Sequence, residues 1–132
     1  MPPLRVAIAG LGFGEKVHLE ALKASPAAEP VALWHPRQER LDSASSAHGL
    51  RGYSDFGALL SYATVDAVVI ATPPAPRFAL AKAALEAGKH LMLEKPVGLH
   101  SDEVAALERL ALQRGLTVAV DFEYRAVPLF QQ

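Results

Sequence analysis

Five short runs of the chain, residues 5–9, 31–34, 66–70, 90–93 and 117–120, are almost continuously apolar. None alternates apolar with polar positions, and that is how strands read when both faces of a parallel sheet are covered. Residues 51–53 add a weaker candidate. The stretches between the runs carry helical spacing. One helix is expected from Gly14 to Ala24, with Pro26 closing it, and another from Arg37 to His48, with Gly49 as its stop. An Ala-rich segment from Arg77 to Ala87 ends at Gly88 in the same manner. In the last helix Ser101 reads as the N-cap, with Asp102 and Glu103 in the first turn, where carboxylates favour the positive helix end. Val104, Leu107, Leu110 and Ala111 then form its apolar face, and Gly115 stops it.

The resulting order is β-α-β-α-(β)-α-β-α-β-α-β. Right-handed crossovers turn such an order into a doubly wound α/β fold, an open parallel sheet of Rossmann type. The expected strand order is 3-2-1-4-5-6, with a ligand crevice at the carboxyl ends of the first and fourth strands. There is no internal repeat and no low-complexity linker; Pro and Gly fall between elements.

The first strand runs into Gly10-Leu11-Gly12-Phe13-Gly14. Gly10 permits a tight turn, and Gly12 lets the backbone approach a pyrophosphate with no Cβ in the way. The helix N-terminus beyond offers N–H groups to phosphates. A glycine pattern alone is weak; this one follows a strand and opens a helix within a βαβ unit, which gives it meaning. The usual third glycine would stand at position 15, where the chain has Glu15, and Gly14 comes one place early. A carboxylate so near a pyrophosphate must point to solvent or pair, with Lys16 as the nearest candidate.

NAD sites commonly carry Asp or Glu at the end of the second strand, on the ribose hydroxyls. Here that strand ends Trp34-His35-Pro36-Arg37 with no acid. His35, Arg37 and Arg40 suit a 2′-phosphate, which a carboxylate would repel. NADP is therefore favoured over NAD, and Trp34 is read as a packing residue.

Length and charge narrow the partners. The 132 residues make one domain, with 13 basic and 14 acidic residues and a net charge of −1. That balance argues against nucleic acid and against a basic membrane-surface patch. The absence of cysteine excludes disulfides, thiolate metal sites and a cysteine nucleophile, and no metal site is suggested. No apolar run approaches the roughly 18 residues of a membrane span, and residues 1–10 do not read as a signal peptide, so a cytoplasmic location is expected.

Four segments resemble the Gfo/Idh/MocA oxidoreductases: residues 10–18, Ala71-Thr72-Pro73-Pro74, residues 88–96 ending Glu94-Lys95-Pro96, and Asp121-Phe122-Glu123-Tyr124-Arg125. The Glu-Lys-Pro segment is the most specific. The resemblance implies an NAD(P)-binding domain over residues 1–120, then a crossover segment, 121–132, leading to a second domain that these residues do not encode and that supplies most of the substrate pocket. It implies a sugar, polyol or related carbonyl substrate, bound only with that second domain, and no turnover by this chain alone. Lys95 is then the catalytic lysine, near nicotinamide and substrate hydroxyl. Glu94 contacts the cofactor or orients Lys95, and Ala71, Thr72 and Pro73 join Gly10, Gly12, Phe13, Gly14, His35 and Arg37 as cofactor contacts. His18 is read as a packing or capping residue. Where the family often has His, six residues after Ala71, this chain has Arg77. The alternative reading is a non-catalytic NAD(P) sensor or regulatory module, which the retained Lys95 disfavours. The apolar tail Val127, Leu129 and Phe130 predicts self-association or docking on a neighbour.

Overall fold

The computed structural model describes residues 1–62 and 64–122. Its strands are β1 (Leu4–Ala9), β2 (Ala28–Trp34), β3 (Arg51–Tyr53), β4 (Ala67–Ile70), β5 (His90–Glu94) and β6 (Val118–Asp121). All pair in parallel, in the order β3-β2-β1-β4-β5-β6, as the alternation of elements predicts. The helices are α1 (Leu19–Ala24), α2 (Gln38–His48), α3 (Phe56–Leu60), α4 (Pro74–Glu86) and α5 (Ser101–Arg114). The C-terminal tail and the residues Tyr124 and Arg125 lie outside the described residues.

The continuous apolar character of the strands follows from two cores, one on each face of the sheet. On one side Ala7, Ala9, Val68, Ile70, Leu91 and Leu93 pack beneath Leu59, Leu85 and Leu107 of α3, α4 and α5. On the other, Val6, Ile8, Leu33 and Val69 pack beneath Leu19 of α1 and Leu41 of α2. From Val6 to Ala9 successive residues of β1 serve opposite cores, which is why this part of the strand carries no polar side chain.

Several expected boundaries shift, each for a local reason. β2 begins at Ala28 rather than residue 31, because Ala28, Glu29 and Pro30 pair with Leu4, Arg5 and Val6; Pro30 has no N–H to donate, and the register slips directly after it. Helix α4 starts three residues before Arg77, with Pro74 in its first turn, where a missing N–H costs nothing. The N-cap of α5 is His100, in extended conformation, so Ser101 is the first helical residue and not the cap. Val104 is exposed, while Leu107 and Ala111 are buried as expected. The expected helix from Gly14 opens as a wide π-type turn, Gly14–His18, in which the Leu19 N–H donates to Gly14 O, before α1 continues in regular form. Gly49 and Gly115 end α2 and α5 in the left-handed conformation, the stop that the sequence implies.

Candidate functional site

A cleft of about 890 Å³ crosses the carboxyl edge of the sheet at the point where the strand order reverses. Every residue assigned to the cofactor site from the sequence lines it except Gly14, and so does Lys95; Trp34, Arg40, Pro76 and Arg77 join them.

The glycine loop forms the floor. Gly10 has φ +105°, and a Cβ there would meet Ala71 O at 2.8 Å, so only glycine lets the β1 turn lie against the β4 turn. At Gly12 a Cβ would meet nothing within 4 Å. Among the described residues no atom therefore accounts for glycine at this position. Gly14 is buried against β1: a Cβ would come within 2.9 Å of Ile8 Cγ2. It performs the helix-to-strand packing expected of the third glycine, one residue early. The Glu15 carboxylate lies 3.1 Å from His48 Nε2, so its partner is on α2 rather than the neighbouring Lys16.

At the β2 end stand His35, Arg37 and Arg40. The Arg37 N–H donates to His35 Nδ1 at 3.0 Å. Burial lowers the His35 pKa from its ordinary value, the bond from the Arg37 N–H opposes that shift, and the charges of Arg40 and Arg37 add to it. Arg40 Nη2 donates to Leu11 O at 3.1 Å and ties α2 to the glycine loop. Arg37 is exposed at the lip. Trp34 is a packing residue, edge-on to Phe56, with its indole N–H donating to Ser54 O.

The β5 end is built from buried polar groups. Thr72 is buried and its hydroxyl donates to Pro73 O, leaving lone pairs rather than a proton for a ligand. Arg77 is only 3% exposed; its Nη1 donates to Glu94 O at 2.8 Å and to Pro96 O, and its Nη2 to Thr72 O. Burial lowers its pKa from the usual guanidinium value, and the charge of Glu94 opposes that shift. Glu94, 8% exposed, holds His18 Nε2 at 2.7 Å, and Asp121 lies 3.8 Å from the same nitrogen. Burial and the adjoining Glu94 carboxyl raise the Asp121 pKa, with the charges of His18 and Lys95 opposing. The three side chains form one acid–imidazole cluster, their polar atoms within 4.8 Å of one another. Phe13 covers it edge-on, 5.5 Å from the His18 ring. Lys95 follows directly, exposed in the cleft and joined to Pro96 by a cis peptide bond.

His18 and Arg77 are the residues that sequence reasoning undervalued. His18 is more than a packing residue, since it completes the buried cluster with Glu94. The available signal for Arg77 was its own oddity, an arginine near the start of a helix where cations are disfavoured. Among the described residues no helix is long and apolar enough to cross a membrane.

Comparison with known proteins agrees with this geometry. The family profile described as "Oxidoreductase family, NAD-binding Rossmann fold" (Gfo/Idh/MocA) matches residues 4–122. The chain is 39% identical over 131 residues to the uncharacterized oxidoreductase sll0816 of Synechocystis, covering 98% of this chain and 35% of that protein. It is 35% identical over 120 residues to dTDP-3,4-didehydro-2,6-dideoxy-alpha-D-glucose 3-reductase of Streptomyces violaceoruber, covering 90% of this chain and 35% of that one. Among solved structures, KijD10, a 3-ketoreductase from Actinomadura kijaniata in complex with TDP-benzene and NADP, superposes with a TM-score of 0.92 at 30% identity, covering 98% of this chain and 42% of that one. The chain thus spans little more than a third of the length of the curated relatives it matches. By its profile match and its fold, this chain belongs to the Gfo/Idh/MocA family of oxidoreductases, of which it carries the NAD-binding Rossmann fold.

Proposed function

We propose that the chain is the cofactor-binding domain of an NADP(H)-preferring oxidoreductase acting on a sugar, polyol or related carbonyl compound. The single observation that carries this reading is the cleft itself. It runs from a cationic lip without a carboxylate at β2, over glycines that leave room at Gly12, to Lys95 at β5. A 2′-phosphate suits Arg37, assisted by the His35 ring N–H; the pyrophosphate suits the loop Gly10–Leu11–Gly12–Phe13 and the helix start beyond it. Thr72 and Pro73 line the path onward. A relative that is by name a reductase of a dTDP-sugar, and a neighbour solved with NADP, support the substrate class and the cofactor.

The bound dinucleotide supplies a carbon that gives or takes hydride. The chain's own part is to place Lys95 beside that chemistry. Its ammonium polarises a substrate carbonyl in the reducing direction and stabilises the developing alkoxide in the oxidising one. Glu94, held by His18, fixes the strand end from which Lys95 projects. Because Lys95 is exposed, its charge is screened and a substrate here meets one wall only. Positioning can account for roughly 7–11 kcal/mol of a barrier, so these 132 residues bind cofactor without turning over sugars.

Calorimetry and thermal melting with NADPH and NADH test the reading. Binding raises the melting temperature by mass action; no heat and no shift with either cofactor at millimolar concentration would remove it. Absorbance of reduced nicotinamide should stay flat over a panel of sugars and polyols. Turnover that is abolished in Lys95→Ala would show that the chain builds a complete active site.

A further inference from the structure

We propose that Arg77 is the positioning residue for Lys95, holding the turn that carries the lysine against the turn that follows β4. This rests on the reading of the cleft as a dinucleotide site. Two of the carbonyls that Arg77 binds, those of Glu94 and Pro96, belong to the residues on either side of Lys95. The third, Thr72 O, lies in the turn that follows β4. One planar group therefore fixes the backbone on both sides of the lysine and joins it to the neighbouring strand.

The chemistry requires arginine. Guanidinium is rigid and forked, so it can meet three carbonyls in different directions at once, whereas an ammonium on a flexible stem has no fixed fork. Its location is otherwise unfavourable. Arg77 sits one turn into α4, near the positive helix end, and it is 3% exposed. A buried cation in such a place persists only when hydrogen bonds satisfy it. The bonds that do so, from Nη1 and Nη2, are those that set the Lys95 turn, while Nε is buried without a hydrogen-bond partner among the described residues. Burial against three carbonyls is what distinguishes Arg77 from the exposed Arg37 and Arg40 at the other end of the cleft.

Position along the cleft gives a discriminating test. With the 2′-phosphate at β2, the nicotinamide half lies toward β5. Loss of Arg77 should then weaken ligands that reach Lys95 and spare those that do not. NADPH and 2′-phospho-ADP-ribose, which lacks nicotinamide, are titrated into the 132-residue chain and its Arg77→Met and Arg77→Lys variants. Arg77→Met should weaken NADPH about tenfold and leave 2′-phospho-ADP-ribose within about twofold, with Arg77→Lys in between. Equal weakening of both ligands, which a general loosening of the fold would give, overturns the proposal; so does unchanged NADPH binding. Should Arg77→Met fail to fold, Arg77→Lys decides by the same split between ligands. Wild-type protein that binds neither ligand overturns the cofactor reading instead. In that case the NMR signal of 13C-methylated Lys95, assigned with Lys95→Arg, still decides: it must move in Arg77→Lys, and an unmoved signal overturns the proposal.

Discussion

At the β2 end of the cleft, Arg37 is exposed, His35 is partly buried, and Arg40 alone reaches back to bind a backbone carbonyl. At the β5 end, Arg77, His18 and Glu94 are buried, and the hydrogen bonds among them and to backbone carbonyls leave little freedom. The charges at the first end are held in water and can adjust to a ligand. Those at the second have already lost their water and are paired within the protein. The difference teaches a division of labour. Recognition of a polyanion tolerates long mobile side chains, because attraction acts over several ångströms. Placement of a proton-handling group does not, since small displacements of a reacting group are costly in rate.

The comparison predicts opposite outcomes for two arginine substitutions. Arg77→Ala should cost about 3 kcal/mol of folding stability, because buried carbonyls lose a charged donor; urea unfolding measures this. Arg37→Ala should stay within about 0.5 kcal/mol of wild type in the same experiment. A cost at Arg77 as small as at Arg37 would break the contrast. On binding, Arg37→Ala should weaken NADPH about tenfold while leaving NADH unchanged, as calorimetry would show. An equal loss for both would take Arg37 away from the 2′-phosphate.

The smallest effects concern pH. Asp121 has a raised pKa, so the folded chain holds its proton more tightly than the unfolded chain does. Its contribution is therefore full below the unfolded value of 3.8 and lost as pH rises through the folded one. Asp121→Asn should remove that loss and raise stability at pH 7. At the opposite edge of the sheet, Asp66 receives Arg5 Nε, Nη2 and backbone N–H, and the Arg5 bonds hold its pKa down at about 2. Its sign is reversed: the stabilisation is present above 3.8 and is lost as pH falls toward 2. Melting temperatures of Asp121→Asn and Asp66→Asn from pH 2 to 7 should diverge from wild type in opposite directions, and parallel curves would contradict both assignments.

The sheet, its order and the glycine floor were legible because their causes are local. Continuous apolar runs flanked by Gly and Pro specify buried parallel strands, and Gly10 and Gly12 lie within a few residues of the elements they serve. The β5 end was legible only in part. The Glu94-Lys95-Pro96 segment marks it by family resemblance, but the partner of Glu94 is His18, 76 residues away, and that of Arg77 is mostly backbone carbonyl, which no side-chain pattern records. Ser101 misled because its residue type suits a cap, while His100 had already taken the extended conformation a cap needs. Gly14 was out of place by a strict count, yet the wide turn it opens lets it pack on Ile8.

The central claim is that the cleft takes a dinucleotide with its 2′-phosphate at the β2 end. Trp34 is the only tryptophan and lines that end, so its emission reports occupancy directly. Titration of the wild-type chain with NADPH and NADH, followed by Trp34 quenching, should show saturable binding of both, with NADPH several-fold tighter. NADH binding as tight as NADPH would contradict the assignment of the 2′-phosphate, and emission unchanged by either would contradict the site.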